Sequence, residues 1–152
     1  MRSVSFRRAA AEDLPALVAL LADDPLGSGR ESPGIPLDPG YIEAFAAIDR
    51  DPGQLLGVAE RGGQVIGVLQ LSFIPGLTRR GMWRGQIEGV RVAASERRSG
   101  VGRAMLEWAI GECRKRGCGM VQLTSDKRRS AAHDFYEALG FEATHEGYKL
   151  EL

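Results

Sequence analysis

Arg97-Arg98-Ser99-Gly100-Val101-Gly102 is the stretch whose residue types and spacing best fit a chemical task. Before it, Gln86-Ile87-Glu88-Gly89-Val90-Arg91-Val92 alternates as a strand does; after it, Arg103 to Ile110 has the periodicity of a helix. A glycine-bearing turn at that junction presents unpaired backbone N–H groups at the positive end of a helix, where a phosphate is stabilised. Gly100 and Gly102 lack Cβ atoms, so the backbone can turn sharply and a ligand can come close. The flanking arginines add charge-assisted hydrogen bonds to phosphate oxygens. The chemistry expected is the holding of a diphosphate. No Gly-Lys-Ser/Thr follows and no third glycine completes a dinucleotide fingerprint, so neither of those sites is predicted. The plainer alternative is an ordinary strand-to-helix turn with solvated arginines.

Other reactive side chains are sparse. Cys113, Cys118, His133 and His145 are the only soft metal ligands, which predicts no structural zinc and no metal site. The two cysteines are not spaced as a C-x-x-C pair and read as reduced, structural thiols of a cytoplasmic protein. Twenty basic and twenty acidic side chains cancel, so no global field favours nucleic acid or a membrane surface. The arginines are nonetheless grouped: Arg79, Arg80 and Arg84; Arg91, Arg97, Arg98 and Arg103; then Lys127, Arg128 and Arg129. Local anion sites fit that grouping better than a polyanion surface does. No apolar run approaches the ~20 residues of a membrane span, and Met1 to Ser5 leads into a strand without a signal-peptide core.

The elements that must position these residues follow from pattern. Residues 1–152 are the length of a single domain with a real core. Ser3 to Arg8 predicts a strand, and Ala11 to Pro15 opens a helix whose Leu14, Leu17, Val18 and Leu21 share a face. A Gly/Pro-rich loop from Asp23 to Gly40 is long enough to suggest a functional lid. Tyr41 to Ile48 predicts a second helix. Leu55–Glu60 and Val65–Phe73 form a hairpin across Gly62-Gly63, and Trp83–Val92 supplies a fourth strand. A helix from Gly100 to Arg116, a fifth strand at Met120–Thr124 and a short helix at Ala131–Leu139 follow. Phe141–Thr144 and Tyr148–Leu152 are expected to pair as further strands. The fold class is α/β (α+β), a mixed, mainly antiparallel sheet of six to seven strands with about four helices on its faces.

Val90-Arg91-Val92, then Arg97-x-x-Gly100-x-Gly102, then Phe135-Tyr136-Glu137-Ala138-Leu139-Gly140-Phe141 resemble the GNAT superfamily of acetyl-CoA-dependent N-acetyltransferases. The resemblance runs over residues 3–152, on two well-separated motifs. It implies that Arg97, Arg98, Ser99, Gly100, Val101, Gly102, Arg103 and Ala104 hold the coenzyme A diphosphate. It implies that the fourth strand splays from the fifth, so that the backbone of Val90 and Val92 pairs with the pantetheine arm, with Arg91 between them also a coenzyme-binding residue. The Val92 N–H would polarise the thioester carbonyl. Ala132, Phe135 and Tyr136 would contact the coenzyme, and Tyr136 matches the family's usual general acid. Arg129 departs from the pattern, standing where many members carry Asn. Ala132-His133-Asp134-Phe135-Tyr136 is closer to the aminoalkylphosphonate acetyltransferase branch. A homodimer is a family-level expectation.

Acetyl transfer to an amine needs a base, because an alkylammonium of pKa ~10 is almost wholly protonated at neutral pH. Glu88, four residues before Val92 on one strand, is the candidate, with even spacing predicting a shared face. It is read as general base, directly or through water; an anchor for the substrate ammonium or a solvated strand acid are the alternatives. For Tyr136 the competing reading is a core aromatic beside Phe135. His133 is read as a surface histidine or a contact to coenzyme or acceptor. Arg79, Arg80 and Arg84 fit a solvated loop end or an anionic acceptor, and Tyr41 with the loop before it would cover the acceptor pocket. The expected function is direct acetyl transfer from acetyl-CoA to a primary amine of a small molecule. A protein or peptide N-acetyltransferase, or a non-catalytic acyl-CoA sensor, are the other readings.

Overall fold

The computed structural model describes residues 3–152. Five strands order themselves along one sheet as β1 (Val4–Arg8), β2 (Gln54–Arg61), β3 (Gln64–Ile74), β4 (Arg84–Val92) and β5 (Met120–Leu123). The first four form an antiparallel meander, and β5 joins β4 in parallel. A parallel neighbour requires a crossover, which α4 (Val101–Lys115) provides. The other helices are α1 (Leu14–Ala22), α2 (Pro39–Arg50), the single turn α3 (Thr78–Gly81) and α5 (Ser130–Ala138). The sheet and helices of a mixed α/β domain are therefore present.

Each sheet face has its own cover. α4 lies across β1, β3 and β4, while α1 packs on β3 and β4 and α2 on β2. On the α4 side Leu69, Leu71 and Ile87 meet Met105, Leu106, Ala109 and Cys113 in one buried cluster. On the opposite side Val58 and Val68 meet Ala9, Leu17 and Leu20. The central β3 is covered on both faces, which is why it reads as a nearly continuous apolar run. Close approach of α4 depends on a missing side chain: a Cβ on Gly85 would lie 2.3 Å from Cys113 Sγ. Burial pushes the Cys113 thiol up to about 11, so it stays protonated as a packing group at neutral pH.

The sheet departs from expectation at its far end. Phe141–Thr144 and Tyr148–Leu152 form no strand, so five strands stand where six to seven were expected. Gly140 turns the chain after α5, and the Phe141 N–H donates to Tyr136 O at 3.1 Å. From Glu142 onward every residue is exposed. The alternating pattern of Tyr148, Leu150 and Leu152 is strand-like, yet it meets no sheet edge among the described residues.

Candidate active site

The site begins with an irregularity in β4. Val68 pairs with Arg91 and Gln70 with Glu88, so two residues of β4, Gly89 and Val90, oppose Leu69 alone. That is a β-bulge, and Gly89 takes the left-handed φ of 62° it requires. The bulge reverses the parity of the strand. Glu88 shares the face of Gln70, toward α1 and α2, together with Arg91. Val92 pairs with Gly67 and points to α4, whose Gly102 would place a Cβ 3.7 Å from Val92 Cγ2. The even-spacing expectation is thereby corrected: Glu88 and Val92 lie on opposite faces.

Beyond the bulge β4 loses its neighbour. Pairing with β5 runs from Arg84–Met120 to Ile87–Leu123 and stops there. The stretch from Glu88 to Val92 is left unpaired on that side, an opening in the ladder. Ala93 N–H donates to Ile66 O at 2.8 Å. By the alternation of an antiparallel ladder, Val92 and Gly67 then form a non-hydrogen-bonded pair, and the Val92 N–H and C=O turn away from β3 into the opening. The Val90 carbonyl accepts from Arg91 Nη1 at 2.8 Å.

α4 starts at the mouth of this opening. Gly100 adopts a φ of 88°, and Arg98 before it a φ of 66°. Ala104 N–H is bonded to Gly100 O at 3.1 Å. The N–H groups of Val101, Gly102 and Arg103 precede the first helical donor, the Ala104 N–H, and form an anion-suited cluster of donors. The Val101 side chain is buried, so its backbone and not its side chain is what it offers a ligand. Ser99 Oγ donates to Glu96 O, bracing the turn. Arg97 Nη2 donates to Asp23 O at 3.3 Å, and Arg103 pairs along the helix with Glu107 at 3.0 Å.

α5 closes the third side. Phe135 lies against Gly102, with its Cζ 3.5 Å from a Cβ placed there. Tyr136 meets Phe135 and Phe141 edge-on at 5.3 and 6.0 Å between ring centroids. Burial raises the Tyr136 phenol above its ordinary value, while the charges of Arg91 and Arg129 oppose the rise. These two arginines share one partner. Asp24 Oδ2 accepts from Arg129 Nη1 at 2.8 Å and lies 2.9 Å from Arg91 Nε. The Asp24 carboxyl is 8% exposed. Burial alone would raise its pKa; hydrogen bonds from Arg129 and the Gly27 N–H, with the fields of both arginines, hold it at about 2.

A profile described as the Acetyltransferase (GNAT) family matches residues 14–141. The chain belongs to the GNAT acetyltransferase family. It is 30% identical over 105 residues to an aminoalkylphosphonate N-acetyltransferase of Salmonella typhimurium, covering 69% of this chain and 68% of that one. A glucosamine 6-phosphate N-acetyltransferase of Trypanosoma brucei brucei is 36% identical over 90 residues, 59% of each chain. A crystal structure described as a transcriptional regulator from Bacillus halodurans C-125 superposes with a TM-score of 0.96 at 45% identity, covering 99% of this chain and 100% of that one. With these relatives the chain is an N-acetyltransferase.

In this GNAT acetyltransferase the three motif segments converge: the end of β4, the start of α4, and Phe135–Tyr136. Ala132 is half-buried on α5. His133 Nε2 lies 2.9 Å from Asp126 O and so braces the loop ahead of that helix. Glu88 is exposed beside Gln70, which also borders an apolar pocket lined by Leu17, Leu21, Tyr41 and Phe45. Tyr41 pins the Gly/Pro loop, donating to Glu31 Oε1 at 2.9 Å and accepting from the Ser32 N–H at 2.8 Å. Arg79 and Arg80 sit in the turn ahead of β4, and Arg84 at its first residue. That is roughly 25 Å of strand from Val92, so a solvated loop end is the reading that geometry favours. The pattern of the sequence missed Asp24. It belongs to no motif, and its only local signal is an acid preceding Pro25 in a loop.

Proposed function

We propose that this acetyltransferase moves an acetyl group from acetyl-CoA directly to the primary amine of a small molecule. The observation that carries the reading is the opening between β4 and β5. It turns the Val92 N–H outward beside the unbonded N–H groups of Val101, Gly102 and Arg103, as an acyl carrier with a diphosphate needs. Bound acetyl-CoA supplies the activated thioester. Val92 N–H donates to the thioester carbonyl oxygen and stabilises negative charge developing there. The backbone of Val90 and Val92 borders the pantetheine arm, and the turn from Arg97 to Ala104 holds the diphosphate. Glu88 takes the ammonium proton through water, since the bulge and roughly 13 Å of strand separate it from Val92. The Tyr136 hydroxyl donates to the departing thiolate.

The named acceptors of the two enzyme relatives are amines bearing a phosphonate or a phosphate. Arg91 and Arg129 share the single carboxylate of Asp24, which leaves a net positive charge and supports an acceptor of that anionic class. Thiol release from acetyl-CoA across aminophosphonates, amino-sugar phosphates, amino acids and peptides tests the proposal. One small anionic amine is expected to respond strongly. Turnover confined to peptides would move the acceptor to the protein class. Acetyl-CoA binding without any turnover would favour a coenzyme-binding sensor, a reading that the regulator description of the Bacillus halodurans relative keeps in view.

A further inference from the structure

On the sheet face that carries Glu88, the helical cover is incomplete. α2 is 12 residues long and buries none of its side chains fully, so it spans the sheet there without filling the space beneath it. Between α1 and α2 lies a cavity of about 160 Å³, with Leu17 and Leu21 of α1, Tyr41, Ala44 and Phe45 of α2, and Gln70 of β3 in its lining. Among the described residues no charged side chain lines it. Polar groups at its border are engaged elsewhere. The Tyr41 hydroxyl is bonded to Glu31 and to the Ser32 N–H, and Gln70 Nε2 donates to Gln54 Oε1 at 2.9 Å. A buried water needs about two to four polar partners, so a cavity with this lining favours an apolar occupant.

Two contacts tie the cavity to the reacting groups. Gln70 pairs with Glu88 across β3 and β4, and side chains placed opposite each other in this way start about 5 Å apart. Leu21 reaches the bulge, since a Cβ on Gly89 would lie 3.8 Å from Leu21 Cδ2. Asp24, which follows shortly after Leu21, holds Arg91 and Arg129. The cavity, Glu88 and the arginine pair therefore adjoin one another on the α1 side of β4. An amine whose nitrogen meets Glu88 carries its substituent past Gln70 toward the space between the helices.

On the acetyl-transfer reading above, we propose that this cavity takes an apolar group of the acceptor, which is then a primary amine with a branched alkyl or phenyl substituent in addition to its anion. Size supports that class. A cavity of roughly 150 Å³ lined by leucine, isoleucine and phenylalanine stays dry and takes benzene, and the space here is about 160 Å³. Ala44 and Phe45, on the α2 side, set how large a substituent fits.

Thiol release from acetyl-CoA over two series, 1-aminoalkylphosphonates and plain primary amines, tests the site, with substituents growing from methyl to phenylmethyl and beyond. The trend within each series is the readout, so it does not depend on the anion. Within a series kcat/KM is expected to rise about fourfold per methylene until the cavity is full, and to fall for larger groups. Ala44 is exposed, so Ala44→Leu can fill part of the cavity without disturbing the core; it is expected to move the optimum to a shorter substituent. Phe45→Leu enlarges the space and is expected to move it to a longer one. A purely structural role for α2 would shift neither optimum. Benzene alone, without coenzyme, is expected to move the methyl resonances of Leu17 and Leu21 in the wild type and to leave them in place in Ala44→Leu. A flat dependence on length among amines that do turn over would overturn the site, as would benzene leaving the wild-type methyls unmoved. Benzene-shifted methyls with no amine acetylated would instead sink the acetyl-transfer reading and uphold the cavity as a site for an apolar group.

Discussion

A phenol is a weaker acid than a thiol, and this sets what Tyr136 can do. A tyrosine near 10 facing a thiolate whose conjugate acid lies near 8.5 makes complete proton transfer uphill by roughly 2 kcal/mol. Burial of Tyr136 steepens that slope, and Arg91 and Arg129 act against it. Its hydroxyl is therefore suited to donating a hydrogen bond as the carbon–sulfur bond breaks, with the arginines stabilising any tyrosinate. Tyr136→Phe keeps the ring contacts with Phe135 and Phe141. It is expected to lower kcat about 10²-fold with thermal stability and coenzyme affinity nearly unchanged. Unaltered turnover of a slow-leaving thioester would remove the acid role and leave a core aromatic. Glu88 is tested on the other side of the reaction. Glu88→Gln is expected to lower kcat by about 10² or more and to restore partial activity at high pH, where the amine is already neutral. If KM for the acceptor rises while kcat holds, Glu88 is an anchor for the ammonium; wild-type kcat and KM at every pH would dismiss both roles.

At the scale of elements, β4 is where function and folding meet. A regular strand would put Glu88, Val90 and Val92 on one face. The Gly89 bulge instead sends Glu88 and Arg91 to the α1 side and leaves Val90 and Val92 with α4. A Cβ on Gly89 would meet only Leu21 Cδ2, at 3.8 Å, so Ala fits the space but not the φ. Gly89→Ala is expected to cost roughly 1–2 kcal/mol of stability, read by urea unfolding. It is also expected to lower kcat beyond what the lost stability explains, because flattening the bulge rotates Glu88 away from its pocket. Wild-type stability and turnover together would show that the bulge positions nothing. The element order, the Gly62-Gly63 hairpin and the strand–turn–helix motif were legible in the sequence, because local periodicity and turn chemistry determine them. The bulge was not, since a glycine in an alternating strand marks an irregularity without saying which residues it displaces. The last two expected strands failed for a different reason. Alternation specifies a strand's faces, whereas a strand forms only where an edge receives it.

The whole molecule depends on contacts that no window of sequence contains, and Asp24 is the clearest of them. It sits just after α1, yet it binds Arg91 on β4 and Arg129 ahead of α5, joining three segments that border the site. Arg129, the position at which the chain departs from its family's pattern, thereby has a partner that its own neighbourhood does not reveal. Removing the carboxylate leaves two arginines facing each other at close range, and Asp24→Asn is expected to cost roughly 3 kcal/mol at neutral pH. The pH dependence follows from the sign of the shift. The folded-state value of about 2 lies below the ~3.9 of an unfolded chain, so the carboxylate's contribution is complete above pH ~4 and is lost as pH falls through about 2. Urea unfolding of the wild type and Asp24→Asn should thus show a constant gap from pH 7 to about 4 that closes below it. A gap persisting unchanged at pH 2 would mean that the loss comes from altered packing around residue 24 and not from its charge. The same variant reads out the site, because the two arginines it releases also act on the Tyr136 phenol. A lower kcat at neutral pH, measured where both proteins are fully folded, is the expected companion to the lost stability.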